Sequence, residues 1–164
     1  MTIANEIQAN LDRASSSLQA AKLLKDAGLL DDAASRAYYS VFHAASALLL
    51  SRDLTFNSHT GILRAINLHF VKTGELDRNF GKEINWLAEL RQVGDYGEVR
   101  HVEIGDVNRA IDQAEAFLTQ VNIMLNQPSE LQSLAAEASR SDYDAILANV
   151  PDVPPESYDR LPTE

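Results

Sequence analysis

A chain of 164 residues with 45% apolar side chains is one domain's worth of sequence, enough to bury a core. Its net charge of −10 argues against a strongly basic nucleic-acid binder, and DNA is not an expected partner. The absence of cysteine excludes a disulfide framework and a thiolate metal site.

The N-terminal stretch MTIANEIQANLDR has neither a basic n-region nor an apolar h-region, so no signal peptide is expected. The longest apolar run is too short to span a bilayer. The expectation is a soluble, cytoplasmic protein without a membrane segment. Charge is unevenly spread. Residues 128–164 hold eight acids and two bases, and residues 1–127 hold sixteen and twelve. The tail is therefore strongly acidic, whereas the body can still present a basic surface where its arginines converge.

In chain order, Ile3, Ile7, Leu11, Ala14, Leu18 and Ala21 line one helical face. Thr2 is placed to cap that helix and Gly28 to end it. The second helix is expected from an N-cap at Asp31 or Asp32. Ala33, Ala37, Ser40, Ala44 and Ala47 form a small-residue stripe that lets a neighbouring helix approach closely. Tyr38, Val41, Phe42, Ala45, Leu48 and Leu49 supply its broad apolar face, which makes it the central helix. A polar loop, TFNSHTG, leads to a third helix over about residues 60–71. KTGELD connects to a fourth over about 78–93, with Phe80, Ile84, Leu87, Ala88 and Leu90 buried and Gly94 and Gly97 as breaks. The fifth starts at Asp106 as N-cap and runs until Pro128 stops it. No stretch alternates with period two. The fold class is all-α, an antiparallel four-to-five-helix up-and-down bundle over residues 1–127. Residues 128–164 form an acidic C-terminal tail, not a separate domain. It carries a capping box at Ser129-Glu130-Leu131-Gln132, a second short helix from Ser141 and an extended, proline-rich end.

Arg36, Ser40 and His43 share one stripe of the second helix. A cation and an imidazole on a central helix need partners or water. The stripe is either a polar network holding helices in register or the wall of a cleft that binds an anion such as phosphate. Glu98-Val-Arg-His101 is a lone Glu-x-x-His, and a di-iron bundle needs two such motifs and two more glutamates. No metal site and no cofactor are expected.

The segment SRAYYSVFHAASALLL is similar to the second-helix signature of the HEPN superfamily. SHTGILRAINLHFVKTGEL resembles the third-helix region of a small bacterial and archaeal, toxin–antitoxin-associated branch of it, and LRQVGDY and AIDQAEAFL continue the pattern over about residues 1–125. The resemblance implies a homodimeric helical bundle. It also implies, for many members, metal-independent RNA cleavage by an arginine followed after four to six residues by a histidine. The histidine moves the proton of the ribose 2′-hydroxyl, and the arginine holds the scissile phosphate. In RQVGDYGEVRH, residues 91–101, Arg91 occupies the arginine position and Tyr96 stands where the histidine would be. A tyrosine of pKa about 10 is a poor base beside an imidazole of about 6.5. His101 lies nine residues on, in a loop that two glycines make permissive. The candidate catalytic residues are Arg91, Tyr96 and His101. The candidate substrate or phosphate-binding residues are Arg36, Tyr39, His43 and Asp95.

Arg64 and His69 match the motif spacing literally. At about 100° per residue they point to different helix faces. By resemblance, the function is RNA or nucleotide binding in a toxin–antitoxin type system, with or without RNA cleavage. The alternative is a catalytically inactive interaction module for a nucleotidyltransferase antitoxin. In some relatives such a partner transfers a nucleotidyl group to a tyrosine two residues beyond the histidine. Here that position is Glu98, and Tyr96 is the nearest tyrosine.

Overall fold

A computed structural model describes residues 2–126, and the tail elements expected beyond them lie outside the described residues. Five α-helices account for the fold, and there is no strand among the described residues. The bundle is the compact unit Met1–Val121.

Helix α1, Ile3–Asp26, starts where Thr2 accepts a hydrogen bond from the Asn5 amide at 3.2 Å. It ends in a Schellman motif. The Gly28 amide donates to Lys25 and the Leu29 amide to Leu24, with Gly28 at φ +78°. Helix α2, Leu30–Leu50, follows at once and runs antiparallel to α1. Its N-cap is Leu29, without a side-chain cap. Neither Asp31 nor Asp32 is the N-cap expected from sequence. Both lie in the first turn, where the helix dipole favours negative charge. Asp31 is spent elsewhere: its carboxylate accepts from the Val102 amide at 2.8 Å and pairs with His101 at 2.8 Å.

Helix α3, His59–Ile66, is capped by Ser58, which accepts from the Gly61 amide at 3.0 Å. It starts one residue earlier than its periodicity suggests and continues into one wide π-helical turn, Asn67–Val71. Helix α4, Arg78–Tyr96, is capped by Asp77 and runs through Gly94 instead of breaking there. A Cβ at Gly94 would sit 2.9 Å from the Asp31 carbonyl oxygen. The glycine is required by the close approach of α4 to α2, not by a turn. Gly97 does end the helix. Helix α5, Ile104–Asn126, begins two residues before Asp106, which becomes a first-turn acid instead of a cap.

The small-residue stripe of α2 is fully buried at Ala33, Ala37, Ser40, Ala44 and Ala47, so neighbouring backbones close on this helix. Larger buried side chains fill the space around it: Tyr38, Val41, Leu48 and Leu49 from α2, with Phe70, Ile84, Leu87 and Phe117 from its neighbours. Each such burial stabilises the fold by about 1.5–3 kcal/mol relative to exposure. Helices α2 and α4 are antiparallel neighbours, as the Asp31–Gly94, Ser35–Asp95 and Tyr39–Arg91 approaches show. Helix α5 returns along α4 and α1 through Phe117 on Phe80, Arg109 on Glu83 and Glu115 on Lys22. The antiparallel bundle expected from sequence is the observed one.

Gly94→Ala forces a methyl group against backbone that cannot swing aside. It is expected to destabilise the bundle by about 1–3 kcal/mol, the range for overpacking. Urea unfolding followed by circular dichroism measures this, and an unchanged midpoint would show that α2 and α4 have room to part.

Candidate functional site

The α2–α4 approach carries the site. One turn along α4 from Gly94, the Arg91 guanidinium lies across the aromatic edge of α2, with its carbon 5.1 Å from both the Tyr38 and the Tyr39 ring centroids. Its Nε donates to Asp95 at 2.9 Å and its Nη2 to the Tyr39 hydroxyl at 3.1 Å. Asp95 is held in turn by the Ser35 hydroxyl. Only 16% of the Arg91 side chain is exposed. Burial alone disfavours its charge, but the Tyr39 and Asp95 oxygens outweigh that, and its pKa lies above the usual guanidinium value. These two bonds use two of five N–H groups, which leaves donors for an anion.

Further positive groups gather at Tyr39. The Arg36 guanidinium sits over the same ring at 5.1 Å. His43, one turn along α2, has its ring 6.4 Å from Tyr39. Burial, Arg13, Arg36 and His59 all push the His43 pKa down, in that order. Arg36 from α2 and Arg91 from α4 therefore converge on Tyr39, and Arg13 from α1 acts on His43 beside it, although the chain as a whole is acidic.

The first residue of α3 joins them. The His59 ring stacks on Phe42 at 4.3 Å and on Tyr38 at 5.8 Å. Its Nδ1 is 2.9 Å from the Tyr38 hydroxyl. Burial and then Arg91 lower its pKa, which favours the neutral imidazole. Tyr38 itself is buried, and burial raises its pKa.

Of the seven candidates from sequence, the structure brings together Arg36, Tyr39, His43, Arg91 and Asp95. It places the other two elsewhere. Tyr96 is the last residue of α4 and 69% exposed. His101 does not fold back to Arg91. Its side chain is 73% exposed and is tied to Asp31 at the start of α2. Arg64 is exposed and His69 half-buried. Sequence reasoning missed Arg13, Ser35, Tyr38 and His59. Arg13 looked like one charge on an outer face, and His59 like part of a polar loop. Its position directly after a serine cap was the available signal. Among the described residues, no group of three or more His, Asp or Glu side chains is arranged to hold a metal ion. No described helix is long and apolar enough to cross a membrane. Below the site, Phe42 also lines an uncharged hollow of about 260 Å³ with Ser46, Leu49, Phe56 and Ile62 among its walls.

A HEPN domain family model matches residues 7–124. A UPF0332 protein of Thermotoga maritima is 42% identical over 113 residues, which make up 69% of this chain and 86% of that protein. A Methanocaldococcus jannaschii protein designated "Putative toxin" is 35% identical over 125 residues, covering 76% and 92% of the two chains. A second M. jannaschii protein of the same designation is 34% identical over 122 residues, covering 74% and 78%.

The depressed imidazoles make stability depend on pH with a definite sign. His43 faces Arg13 from α1, Arg36 on its own helix and His59 from α3, and its folded pKa lies below 6.5. As pH falls, the unfolded chain therefore binds the proton first. The stabilisation is complete above about pH 6.5 and is lost as pH falls toward the folded pKa. The thermal midpoint should drop between about pH 7.5 and about pH 5, with each imidazole contributing at most about 1.4 kcal/mol per pH unit. His43→Gln, which cannot titrate, should flatten that profile in melts followed by circular dichroism.

Proposed function

The chain belongs to the HEPN domain family, and on that footing we propose a protein of the toxin–antitoxin type whose Arg91 site binds the phosphates of RNA or a nucleotide. The toxin designation of the two archaeal relatives supports the biological setting. The observation that carries the binding reading is the convergence of Arg36 and Arg91 from two helices on the Tyr39 ring, with Arg13 close enough to act on neighbouring His43. Two guanidinium groups on one ring repel each other, and Asp95 is paired with only the Arg91 group. A bound phosphate relieves that repulsion, and guanidinium forks match its oxygens in pairs. Tyr39 and Asp95 hold the Arg91 fork in orientation before the anion arrives, which lowers the ordering cost of binding. A homodimer bringing two such sites into one assembly, with RNA as ligand, completes the proposal.

A second reading keeps the fold as an interaction module for a nucleotidyltransferase partner. Tyr96 favours it: at 69% exposure, on a helix end, its hydroxyl is reachable by another protein. Intact-mass measurement of the chain co-expressed with its neighbouring gene product would reveal a nucleotidyl adduct.

The phosphate reading is tested by fluorescence anisotropy with a labelled single-stranded RNA. Arg91→Ala and Arg36→Ala should each weaken binding about 10- to 100-fold, the range for a lost charge-assisted hydrogen bond. The salt slope should become shallower by about 0.7 per arginine removed. Arg52→Ala, whose partner is Glu75, should bind as wild type does. Equal affinity for all four proteins would mean that the arginine strip does not hold RNA.

A further inference from the structure

We infer that the uncharged hollow beside the Arg91 site takes the adenine base of a nucleotide whose phosphate lies at Arg36 and Arg91. This rests on the phosphate-binding reading above and adds to it the base that the bound nucleotide carries.

One stripe of α2 joins the two places. Arg36, Tyr39, Phe42, Ser46 and Leu49 follow at steps of three and four residues, so this helix face passes from the cationic strip into the hollow. Phe42 belongs to both. Its ring centroid is 6.4 Å from that of Tyr39, and it lines the hollow. His59 stacks on Phe42 at 4.3 Å, which fixes that wall. From Tyr39 to Ser46 the helix rises by about 10 Å, within the length of an extended nucleotide. The hollow measures about 260 Å³. Pockets that hold a whole ligand run from about 300 to about 1,000 Å³, so this one takes a ring system and leaves sugar and phosphate outside.

The walls decide what kind of ring. Leu49 and Leu50 from α2, Leu54 from the connection and Ile62 from α3 carry no charge, so they suit a flat, uncharged ring and not a second phosphate. Ser46 spends its hydroxyl hydrogen on the Phe42 carbonyl at 2.9 Å. Asn10 of α1 supplies a polar edge. Its Nδ2 donates to the Glu6 carbonyl at 3.0 Å, and this bond sets which end of the amide is nitrogen. The bond uses one of two N–H groups and no Oδ1 lone pair. One donor and one acceptor are therefore left side by side. Adenine offers the complementary pair on both of its polar edges, N6–H with N7 and N6–H with N1, and asparagine bonded to N6 and N7 is a recurrent contact. Guanine shows two acceptors, O6 and N7, on one of its edges. Cytosine and uracil have the pair on the Watson–Crick edge alone and a smaller ring to bury.

The test titrates the full chain with AMP, GMP, CMP, UMP and inorganic phosphate in a calorimeter. Labelled single-stranded RNAs of adenosine alone and of uridine alone are followed beside them by anisotropy. AMP should bind about fivefold or more tighter than each of the other three nucleotides, the lower end for one matched pair of hydrogen bonds. A preference in the mononucleotides identifies a free nucleotide as the ligand, and a preference confined to the strands identifies an adenosine within RNA; either result supports the hollow. In Asn10→Leu, which removes the amide, and in Ser46→Leu, which fills the hollow, the preference for adenine should fall toward one. Circular dichroism melts show that each variant is folded, and if Ser46→Leu is not, Asn10→Leu decides. Arg91→Ala should weaken AMP and inorganic phosphate alike. Equal affinity for all bases in both series, or an undiminished adenine preference in the folded variants, overturns the assignment and leaves the phosphate reading standing. Absence of binding to phosphate, nucleotides and RNA removes that reading and this inference together.

Discussion

The contact on which the bundle and its site both depend is the backbone approach of α4 to α2 at Gly94 and Asp31. A glycine there lets the two helices come within reach of a carbonyl oxygen that any side chain would meet. The buried alanine stripe of α2 extends that closeness along the helix. Because the two backbones are near at this end, even a serine suffices to cross between them, and one turn further on the gap is bridged by longer side chains. Ser35 reaches Asp95, and Tyr39 reaches Arg91. The polar strip is therefore a consequence of packing. If the helices stood further apart, Arg91 would lose both tyrosine faces and Asp95 its serine.

How much of this was legible in the sequence differs by element. The five helices were readable because the apolar repeats are long and regular, and Thr2 and Gly28 do what their chemistry suggests. Gly94 misled because glycine has two uses, ending a helix and admitting a neighbour, and only the neighbour distinguishes them. Asp31 misled for a related reason. An acid just before an apolar helix is a good capping candidate, but this one is committed to Val102 and His101, seventy-one and seventy residues away. Local propensity cannot register a long-range partner.

The candidate site was half legible for the same reason. Arg36, Tyr39 and His43 lie within eight residues of one helix, so helical periodicity alone puts them together. Arg91 and Asp95 join them because they share a face at i and i+4, which sequence also shows. Arg13 and His59 come from elements whose placement is tertiary. Tyr38 was read correctly as a core aromatic, but its hydroxyl end, reaching His59, is invisible to a pattern that counts it as apolar. His101 shows the converse failure. Two glycines left open a loop that could bring His101 back to Arg91, yet a carboxylate at the start of α2 holds it where the chain emerges.

Net charge is a poor guide to what such a surface binds. The chain is at −10 overall, yet the field at a half-buried strip is set by the charges within a few ångströms, since those farther than a Debye length of about 10 Å are largely screened. At Tyr39 two cations, Arg36 and Arg91, lie against the ring, and Asp95 is paired with Arg91. Asp95 has two consequences there. It holds Arg91 in one orientation, and it would compete with an anion for the same guanidinium. Since Asp95 engages Nε, an arriving phosphate need not displace it, because the outer donors of the fork remain. On the proposed reading, attraction is retained at short range whatever the net charge of the chain, and a strand is held where it presents a phosphate at the Tyr39 strip itself.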